Sequence, residues 1–299
     1  MKVSIIIVNY NTLSLTEACI NSVREFTTGI EYELILVDNG STDNSSAYFK
    51  DVEGITFVQA TENLGFGRAN NLGAELATGE FLFFLNSDTL LTHNSIKILT
   101  DFFTENQYTL KIGALGCILV DKDGNYNGSG NNLPVCKTEI EIYKSVIPGI
   151  KLFSKKPLPF TIPKGNDFFE IGYVIGADLM MRREVFEELG GFDPDFFMYY
   201  EESDLQKRMA VLGLKAWVYT GTKIIHLEDG TGKSLKKYSN RKRIIVHKSR
   251  NIYLKKNDRP NFARYKFWDN IYLNFAKINP SYTKAENREY YDEIKKTHQ

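Results

Sequence analysis

The sequence predicts an α/β protein with a mostly parallel central sheet flanked by helices. Three apolar runs, at 3–8, 32–37 and 80–85, are too short to cross a membrane and are typical of buried parallel strands. Ligands of open α/β sheets bind at the carboxyl edge of the strands, so we expect a polar ligand there, together with a metal ion. The expectation follows from the polar residues that end the three runs, namely Asn9-Tyr10-Asn11, Asp38-Asn39 and Asn86-Ser87-Asp88.

Helical patterns alternate with these runs, as expected for βαβ units. Residues 14–26 form a predicted helix with an apolar stripe along one face. Further helices are predicted at 68–77 and 96–103, and further strands at 55–58 and 112–119.

The chain beyond residue 120 is less regular. Residues 121–132 are rich in Gly and Asn and predict a turn, and 134–167 contains several prolines and predicts a long loop. Loops of that length inside a compact domain are often functional. Regular structure is predicted again at 171–181. Helices are predicted at 183–189 and 203–212, a strand at 215–219, and basic helices from residue 236.

The composition is that of a globular protein of 299 residues with a formal net charge of zero, so the whole molecule is not a polyanion binder. The three cysteines, Cys19, Cys117 and Cys136, lack metal-ligand spacing and indicate reduced thiols in a cytoplasmic protein. The first apolar run is too short for a signal peptide and has no small-residue cleavage site. No apolar run reaches the length of a transmembrane helix.

A series of motifs resembles, in the same order, the motifs of family 2 glycosyltransferases. His226 stands about where that family places its late histidine. The resemblance spans roughly 3–234, is strongest to bacterial rhamnosyltransferase-like members, and implies the GT-A fold and an inverting sugar transfer. The motifs are Val8-Asn9-Tyr10-Asn11, Val37-Asp38-Asn39-Gly40-Ser41-Thr42-Asp43, Asn63-Leu64-Gly65-Phe66-Gly67-Arg68-Ala69-Asn70-Asn71-Leu72-Gly73, Phe84-Leu85-Asn86-Ser87-Asp88, Arg182-Arg183-Glu184-Val185-Phe186, Gly190-Gly191-Phe192-Asp193 and Tyr200-Glu201-Glu202-Ser203-Asp204-Leu205.

The resemblance implies a donor site for a dTDP- or UDP-sugar. Asp38 would accept the imino N–H of uracil or thymine, and Tyr10 would lie against the base. Gly65 would let the backbone approach the diphosphate, and Arg68 would contact that diphosphate unless it is an ordinary surface helix residue. The full set of implied donor residues is Asn9, Tyr10, Asn11, Asp38, Asn39, Gly65, Arg68, Asn70, Asn86 and Asp88.

A divalent metal, Mg²⁺ or Mn²⁺, is implied beside the donor. Many relatives begin the acidic motif with Asp, but this chain has Asn86, which leaves Asp88 as the only carboxylate of the motif. A hard cation can be held by one carboxylate, diphosphate oxygens and water. His226 is expected either as a further ligand, which would favour Mn²⁺, or as a satisfied structural histidine.

The acceptor half of the resemblance implies Glu202 as the general base, where the family usually has Asp. Glu201 and Asp204 remain alternatives for that role. Glu201, Gly176 and Asp178 are also expected to bind the acceptor, and Asp204 is expected either to bind the acceptor or to serve the fold. The acids precede a predicted helix, whose N-terminal dipole is expected to favour their ionised form.

The implied catalytic domain is 1–235, with a nucleotide-sugar-binding half at about 1–120 and an acceptor-binding half at about 121–235. Residues 236–299 form a basic helical C-terminal extension. Within it, 236–259 holds many Lys and Arg interleaved with apolar residues, which suits either a helix on the inner face of the plasma membrane or a basic helix packed on the catalytic domain. No nucleic-acid-binding module accompanies the charge.

The expected function is metal-dependent transfer of a sugar, with rhamnose as the candidate, to a glycan or lipid-linked acceptor in cell-surface polysaccharide synthesis. A nucleotidyltransferase is an alternative, but it would need a basic phosphate-gripping loop, and Asn9-Tyr10-Asn11 offers no Lys or Arg. A catalytically inactive sugar-binding relative is the other alternative, which the single motif carboxylate favours.

Overall fold

The computed structural model describes residues 1–150, 161–163, 165–227 and 238–298. Its strands are β1 (Lys2–Asn9), β2 (Glu31–Asp38), β3 (Ile55–Gln59), β4 (Phe81–Asn86), β5 (Thr89–Leu90), β6 (Ile112–Val120), β7 (Tyr126–Gly128), β8 (Gly130–Asn131), β9 (Phe168–Ile171), β10 (Tyr173–Val174), β11 (Asp178–Arg182) and β12 (Lys215–His226). Its helices are α1 (Leu13–Phe26), α2 (Ser45–Phe49), α3 (Phe66–Ala74), α4 (Ser95–Asn106), α5 (Cys136–Val146), α6 (Arg183–Glu188), α7 (Glu201–Val211), α8 (Asn240–Asn257), α9 (Arg259–Ala276) and α10 (Lys284–Lys296).

A ten-stranded sheet in the order β3-β2-β1-β4-β11-β6-β12-β5 forms the centre of the molecule, with β7 and β9 paired at its side. Its first half is parallel: Asn9 pairs with Asp38, and Val8 pairs with Asn86. The three predicted polar strand ends therefore lie side by side at one edge of the sheet. The predicted mostly parallel sheet flanked by helices is confirmed.

Two further strands bring the second half of the chain to the same edge. Strand β11 runs antiparallel between β4 and β6 and begins at this edge, since Asp178 pairs with Leu85. Strand β12 runs parallel to β6 and ends with His226 paired to Thr89, just after Asp88. The predicted strand at 215–219 is thus the beginning of a longer strand that delivers the histidine.

The sheet is covered on both faces, which explains the continuous apolar runs. Successive side chains of a strand point to opposite faces, so Ile5 and Ile7 pack with α1 and α4 while Ile6 packs on the other side. That other side includes Phe186 and Phe192 and residues of α7.

The predicted long loop at 134–167 is wrong in its first part, because α5 (Cys136–Val146) forms there. Pro134 and Pro148 lie outside the helix, one on each side, where proline does not interrupt helical hydrogen bonds. Ile140 and Tyr143 of α5 pack against Tyr265 of α9 in a third apolar cluster. This tertiary packing stabilises a helix whose proline-rich flanks suggest a loop.

The residues after 238 form three helices that pack on the preceding chain, and several of their basic residues pair with acids of the protein. Lys256 lies 2.5 Å from Asp193, Lys248 lies 2.5 Å from Glu293, and Arg250 lies 3.2 Å from Glu139. Part of helix α8 is thus packed on protein, as one of its two expected arrangements requires, while Arg241 and Lys255 are exposed; residues 236 and 237 are outside the described part. Over the described ranges, no helix combines the length and apolar character that crossing a membrane requires.

Candidate functional site

A buried polar pair lies beneath the carboxyl edge of the sheet. The Asn9 side chain donates from Nδ2 to Oδ1 of Asp38 at 2.8 Å, and both residues are fully buried. The amide of Ser41 donates to the other carboxylate oxygen at 3.2 Å, and Thr16 donates to Oδ1 of Asn9 at 2.8 Å. The pair thereby fixes the ends of β1 and β2 relative to each other.

Asn11 and Asn39 shape the loops above this pair. Oδ1 of Asn11 accepts from the amide of Thr42 at 2.7 Å. Asn39 accepts from the amide of Leu64 at 2.8 Å and donates to the carbonyl of Gly65 at 3.1 Å. Both asparagines use their amide groups to hold neighbouring loops in place.

A cavity of about 190 Å³ opens at this edge. Tyr10, which is 39% exposed, stands at its rim, so its ring is available to a ligand. Four of the predicted donor residues thus meet at one cavity. The lining residues are Val8, Tyr10, Thr12, Asn39, Asn63, Phe66, Asn86, Ser87, Asp88 and Met198.

Asp88 and His226 lie together beside this cavity. Nε2 of His226 is 3.3 Å from Oδ1 of Asp88 and 3.5 Å from Nδ2 of Asn86. The Asp88 side chain is 17% exposed and the His226 side chain is 10% exposed. Oδ1 of Asp88 and Nε2 of His226 are thus close together and partly exposed beside the cavity. This arrangement fits a divalent cation whose other ligands are diphosphate oxygens and water. Among the residues that the structure describes, no third His, Cys, Asp or Glu joins them in a metal-binding cluster.

The structure gives three predicted donor residues other partners. Gly65 has a positive φ of 84°, and a Cβ there would lie 1.8 Å from the carbonyl oxygen of Phe197. The close approach of this protein backbone requires a glycine at position 65. Asn70 is buried and donates to the carbonyl of Phe66 at 3.0 Å within its own helix. Arg68 is half-buried, and its Nε donates to the carbonyl of Leu64 at 2.8 Å.

A second and larger cavity of about 840 Å³ is bordered by Glu202. Tyr199 and Tyr200, which immediately precede the acidic pair, both have left-handed backbones, with φ of 69° and 71°. Two consecutive bulky residues in this region indicate local strain of the kind that collects at functional sites. The lining residues are Asn131, Asn132, Leu133, Pro134, Thr138, Glu139, Ile142, Tyr173, Tyr199, Tyr200, Glu202, Ser203, Tyr238, Lys242 and Val246.

The three candidate base residues differ in their surroundings. Asp204 is buried, with one oxygen 2.8 Å from Arg208 and the other accepting from Asn257 at 2.8 Å. It thereby joins α7 to α8, which fits the expected alternative of a role in the fold. Glu201 is buried beneath the cavity wall, and burial together with the charge of Glu202 raises its pKa well above the usual range. Glu202 borders the cavity and Glu201 does not, although each has one oxygen without a hydrogen-bond partner among the described residues.

Removal from water raises the pKa of Glu202 to about 7, against the opposing effect of nearby backbone N–H groups. We expected the dipole of α7 to favour the ionised form of both acids. That expectation is wrong, because burial raises the pKa of both acids by more than the helix terminus lowers it. A carboxyl with a pKa near neutrality is well matched to accept a proton.

The other two predicted acceptor residues lie in the packing. Asp178 is fully buried and accepts from the amide of Cys117 at 2.6 Å, and burial raises its pKa to about 7. A Cβ on Gly176 would lie 2.6 Å from the ring of Phe66, so this glycine allows close packing of that ring.

One structural contact was missed. Asn71 donates to the carbonyl of Phe192 at 2.7 Å and accepts from its amide at 2.9 Å, which joins the two halves of the catalytic domain. The sequence contains the pair Asn70-Asn71, but only the structure shows that Asn71, and not Asn70, contacts Phe192. Tyr173, Tyr199, Tyr238 and Lys242 of the larger cavity could not be predicted either, because they lie outside the motifs.

Residues 4–190 match the sequence profile of Glycosyl transferase family 2. The chain belongs to this family. The O-antigen biosynthesis protein RfbC of Myxococcus xanthus is 28% identical over 241 residues, which are 77% of this chain but 18% of that protein. The N-acetylglucosaminyl-diphospho-decaprenol L-rhamnosyltransferase of Mycobacterium tuberculosis is 28% identical over 222 residues, 67% of this chain and 68% of that protein. The predicted family 2, rhamnosyltransferase-like relationship is confirmed.

Several solved structures share the fold. A mannosyltransferase from Pyrobaculum calidifontis, in complex with GDP-Man and Mn²⁺, superimposes with a TM-score of 0.57 at 17% identity, covering 99% of this chain and 73% of that one. S. aureus TarS in complex with UDP-GlcNAc gives 0.54 at 15% identity, covering 100% and 72%. The GT-A fold prediction is confirmed.

Proposed function

We propose that this chain is an inverting glycosyltransferase that moves a sugar from a dTDP- or UDP-sugar to a hydroxyl of a glycan or lipid-linked acceptor. The segment from Met198 to Tyr200 carries the proposal. Met198 lines the cavity beside Asp88, while Tyr199 and Tyr200 line the cavity beside Glu202. A metal-binding pair and a base candidate therefore flank the same three residues, as a transfer between donor and acceptor requires.

The smaller cavity is the proposed donor site. Tyr10 offers an exposed ring for the base. Asp38 remains the proposed partner of the imino N–H, since each of its oxygens carries one hydrogen bond and can accept another. Asp88 and His226 would hold Mg²⁺ or Mn²⁺, which supplies positive charge to the leaving diphosphate.

In the larger cavity, Glu202 takes the proton of the attacking hydroxyl. Its carboxylate must be ionised to do so, and its pKa near 7 keeps a substantial ionised fraction at neutral pH. Glu201 stays protonated beneath it and excludes a second negative charge. A single displacement by that hydroxyl inverts the anomeric centre.

The names of the relatives guide the choice of substrates. The Mycobacterium relative is named for rhamnose transfer to a diphospho-lipid, and the Myxococcus relative for O-antigen biosynthesis. We therefore propose a role in bacterial cell-surface polysaccharide synthesis on the cytoplasmic side, with dTDP-rhamnose as the first donor to test.

A screen of dTDP-, UDP- and GDP-sugars by thermal shift with Mn²⁺ or Mg²⁺ would identify the donor. Turnover with a lipid-linked or short glycan acceptor, followed by NMR of the anomeric proton, would then test the reaction. We expect transfer with inverted configuration. Donor binding without transfer or hydrolysis would instead identify a sugar-binding relative, and a product of retained configuration would contradict the single displacement.

A further inference from the structure

Helix α5 gives the larger cavity a second carboxylate, that of Glu139. This residue lines the cavity together with Thr138 and Ile142, whereas Ile140 and Tyr143 of the same helix pack against α9. The side chain of Glu139 is 10% exposed, so an almost buried acid borders the cavity. A polar group in that position needs hydrogen-bond partners from the protein or from a ligand.

The described part of the chain engages one of the two oxygens of Glu139. Nη1 of Arg250 lies 3.2 Å from Oε2, and Nη2 of Arg250 donates to the hydroxyl of Tyr143 at 2.6 Å. That hydroxyl in turn donates to Asp269 at 2.6 Å, so residues of α5, α8 and α9 together hold the guanidinium in place. Among the described residues, none donates to Oε1 of Glu139. One carboxylate oxygen is therefore fixed by the protein, and the other can accept a hydrogen bond from a ligand.

Glu139 and Glu202 lie near the same phenol group. Burial raises the pKa of Tyr173, and the negative charges of Glu202 and Glu139 add to this effect. Tyr173 lines the cavity together with both acids. The cavity thus presents two carboxyl groups to one binding space, although only Glu202 belongs to a family motif.

We propose that Glu139 binds a second hydroxyl of the acceptor sugar, beside the hydroxyl that Glu202 deprotonates, and thereby selects which hydroxyl reacts. The inference rests on the proposed function of this cavity. An ion-paired carboxylate accepts hydrogen bonds and donates none, so the matching ligand group is a neutral donor such as a sugar hydroxyl. A phosphate at the same point would meet a like charge. The acceptor class that fits is a neutral pyranoside with at least two free hydroxyls.

The ion pair of Glu139 with Arg250 requires a variant that separates binding from folding. Glu139→Gln alone leaves the Arg250 charge without its acid, which destabilises a protein when the pair is buried. Glu139→Gln/Arg250→Met removes both charges, so it should recover the urea midpoint that the single variant lowers. Sugar binding should stay weak in this double variant, a result that a purely structural role of Glu139 would not produce.

The test is saturation-transfer NMR of the full chain with the methyl glycosides of glucose, N-acetylglucosamine and rhamnose. We expect the wild type to bind at least one of them. Both Glu139 variants should bind it about tenfold more weakly, the usual loss for a hydrogen bond to a charged group. Glu141→Gln is the matched control and should bind as the wild type does. Glu141 also forms an ion pair on α5, with Lys144 at 2.8 Å, but it does not line the cavity.

Monodeoxy forms of the bound glycoside identify the contact. Removal of one particular hydroxyl should weaken binding to the wild type about tenfold but change binding to Glu139→Gln/Arg250→Met little, because the two changes remove the same hydrogen bond. Additive losses for every hydroxyl would overturn the proposal. Unchanged binding by the double variant, or no glycoside bound by the wild type, would overturn it as well.

The outcome is separate from that of the proposed function. Glycoside binding that depends on Glu139, without any sugar transfer, would contradict the proposed enzyme and leave the contact with the sugar hydroxyl in place. Sugar transfer with the same acceptor KM in the wild type and in Glu139→Gln/Arg250→Met would support the enzyme and overturn the role of Glu139.

Discussion

Nε2 of His226 lies 3.3 Å from Oδ1 of Asp88, at the edge where the central strands end. The contact depends on a short antiparallel pairing in which His226 faces Thr89. A two-residue strand after the Asn-Ser-Asp turn thus places a late histidine beside an early aspartate. The cavity beside them therefore has a carboxylate oxygen and an imidazole nitrogen next to each other, the ligand types proposed above for a divalent cation.

Asp88→Asn removes the carboxylate of this pair and keeps its size. We expect affinity for dTDP or UDP in Mn²⁺ to fall about 10–100-fold, since the metal loses its only charged protein ligand. Isothermal calorimetry with Mn²⁺ and with EDTA measures the effect, and Asp123→Asn in an exposed turn is the control. Equal binding by the wild type in Mn²⁺ and EDTA would show that the pair holds no metal.

Glu202→Gln keeps the shape of the side chain but cannot accept a proton. Turnover should fall by about 10²–10⁴-fold, the usual worth of general-base catalysis, with donor binding nearly unchanged. Glu201→Gln is the matched control, because Gln resembles the protonated form that burial favours there. A large loss in Glu201→Gln combined with a small one in Glu202→Gln would exchange the two roles.

The pH dependence of turnover follows from the raised pKa of Glu202. Since the base must be ionised, kcat/KM of the wild type should rise with pH and level off above about 7. An initial-rate profile between pH 5 and 9 in one buffer mixture would measure this. A flat profile across that range would exclude Glu202 as the titrating base.

The same acids make stability fall as pH rises. Glu201 and Glu202 have raised pKa values in the folded state, so between about pH 4.5 and 7 the folded chain holds protons that the unfolded chain has released. The free energy of unfolding should therefore decline across that window from this pair. Urea titrations at pH 5 and 8 should show a smaller decline for Glu202→Gln than for the wild type, and an identical decline would contradict the assignment.

Gly65→Ala should be strongly destabilising, because the new Cβ meets the Phe197 carbonyl in addition to the positive φ. We expect a loss of about 2–5 kcal/mol in the free energy of unfolding. Gly124→Ala is the control: it has a φ of 81° but nothing within 4 Å of the added carbon, so only about 1–2 kcal/mol should be lost. Similar losses for the two variants would show that the contact with Phe197 is relaxed at little cost.

The donor half could be predicted from sequence because the residues that define each strand and its polar end are adjacent in the chain. Each apolar run carries its own polar end, and parallel pairing alone brings Asn9, Asp38 and Asn86 together. The partners of Gly65 and Asn70 could not be predicted, since a motif shows which residues recur but not whether a ligand or protein backbone faces them. Helix α5 was missed because its stability comes from Tyr265, which is far away in the sequence.

The aromatic cluster shared by α5, α8 and α9 also contains Phe196 and borders Tyr200, so one wall of the larger cavity belongs to the C-terminal helices. Lys242 and Val246 of α8 line that cavity directly. Efforts to retarget the chain to a new acceptor should therefore vary α8 together with the 196–200 segment. Grafting the family motifs alone into another scaffold would transfer the proposed donor site but not the acceptor specificity.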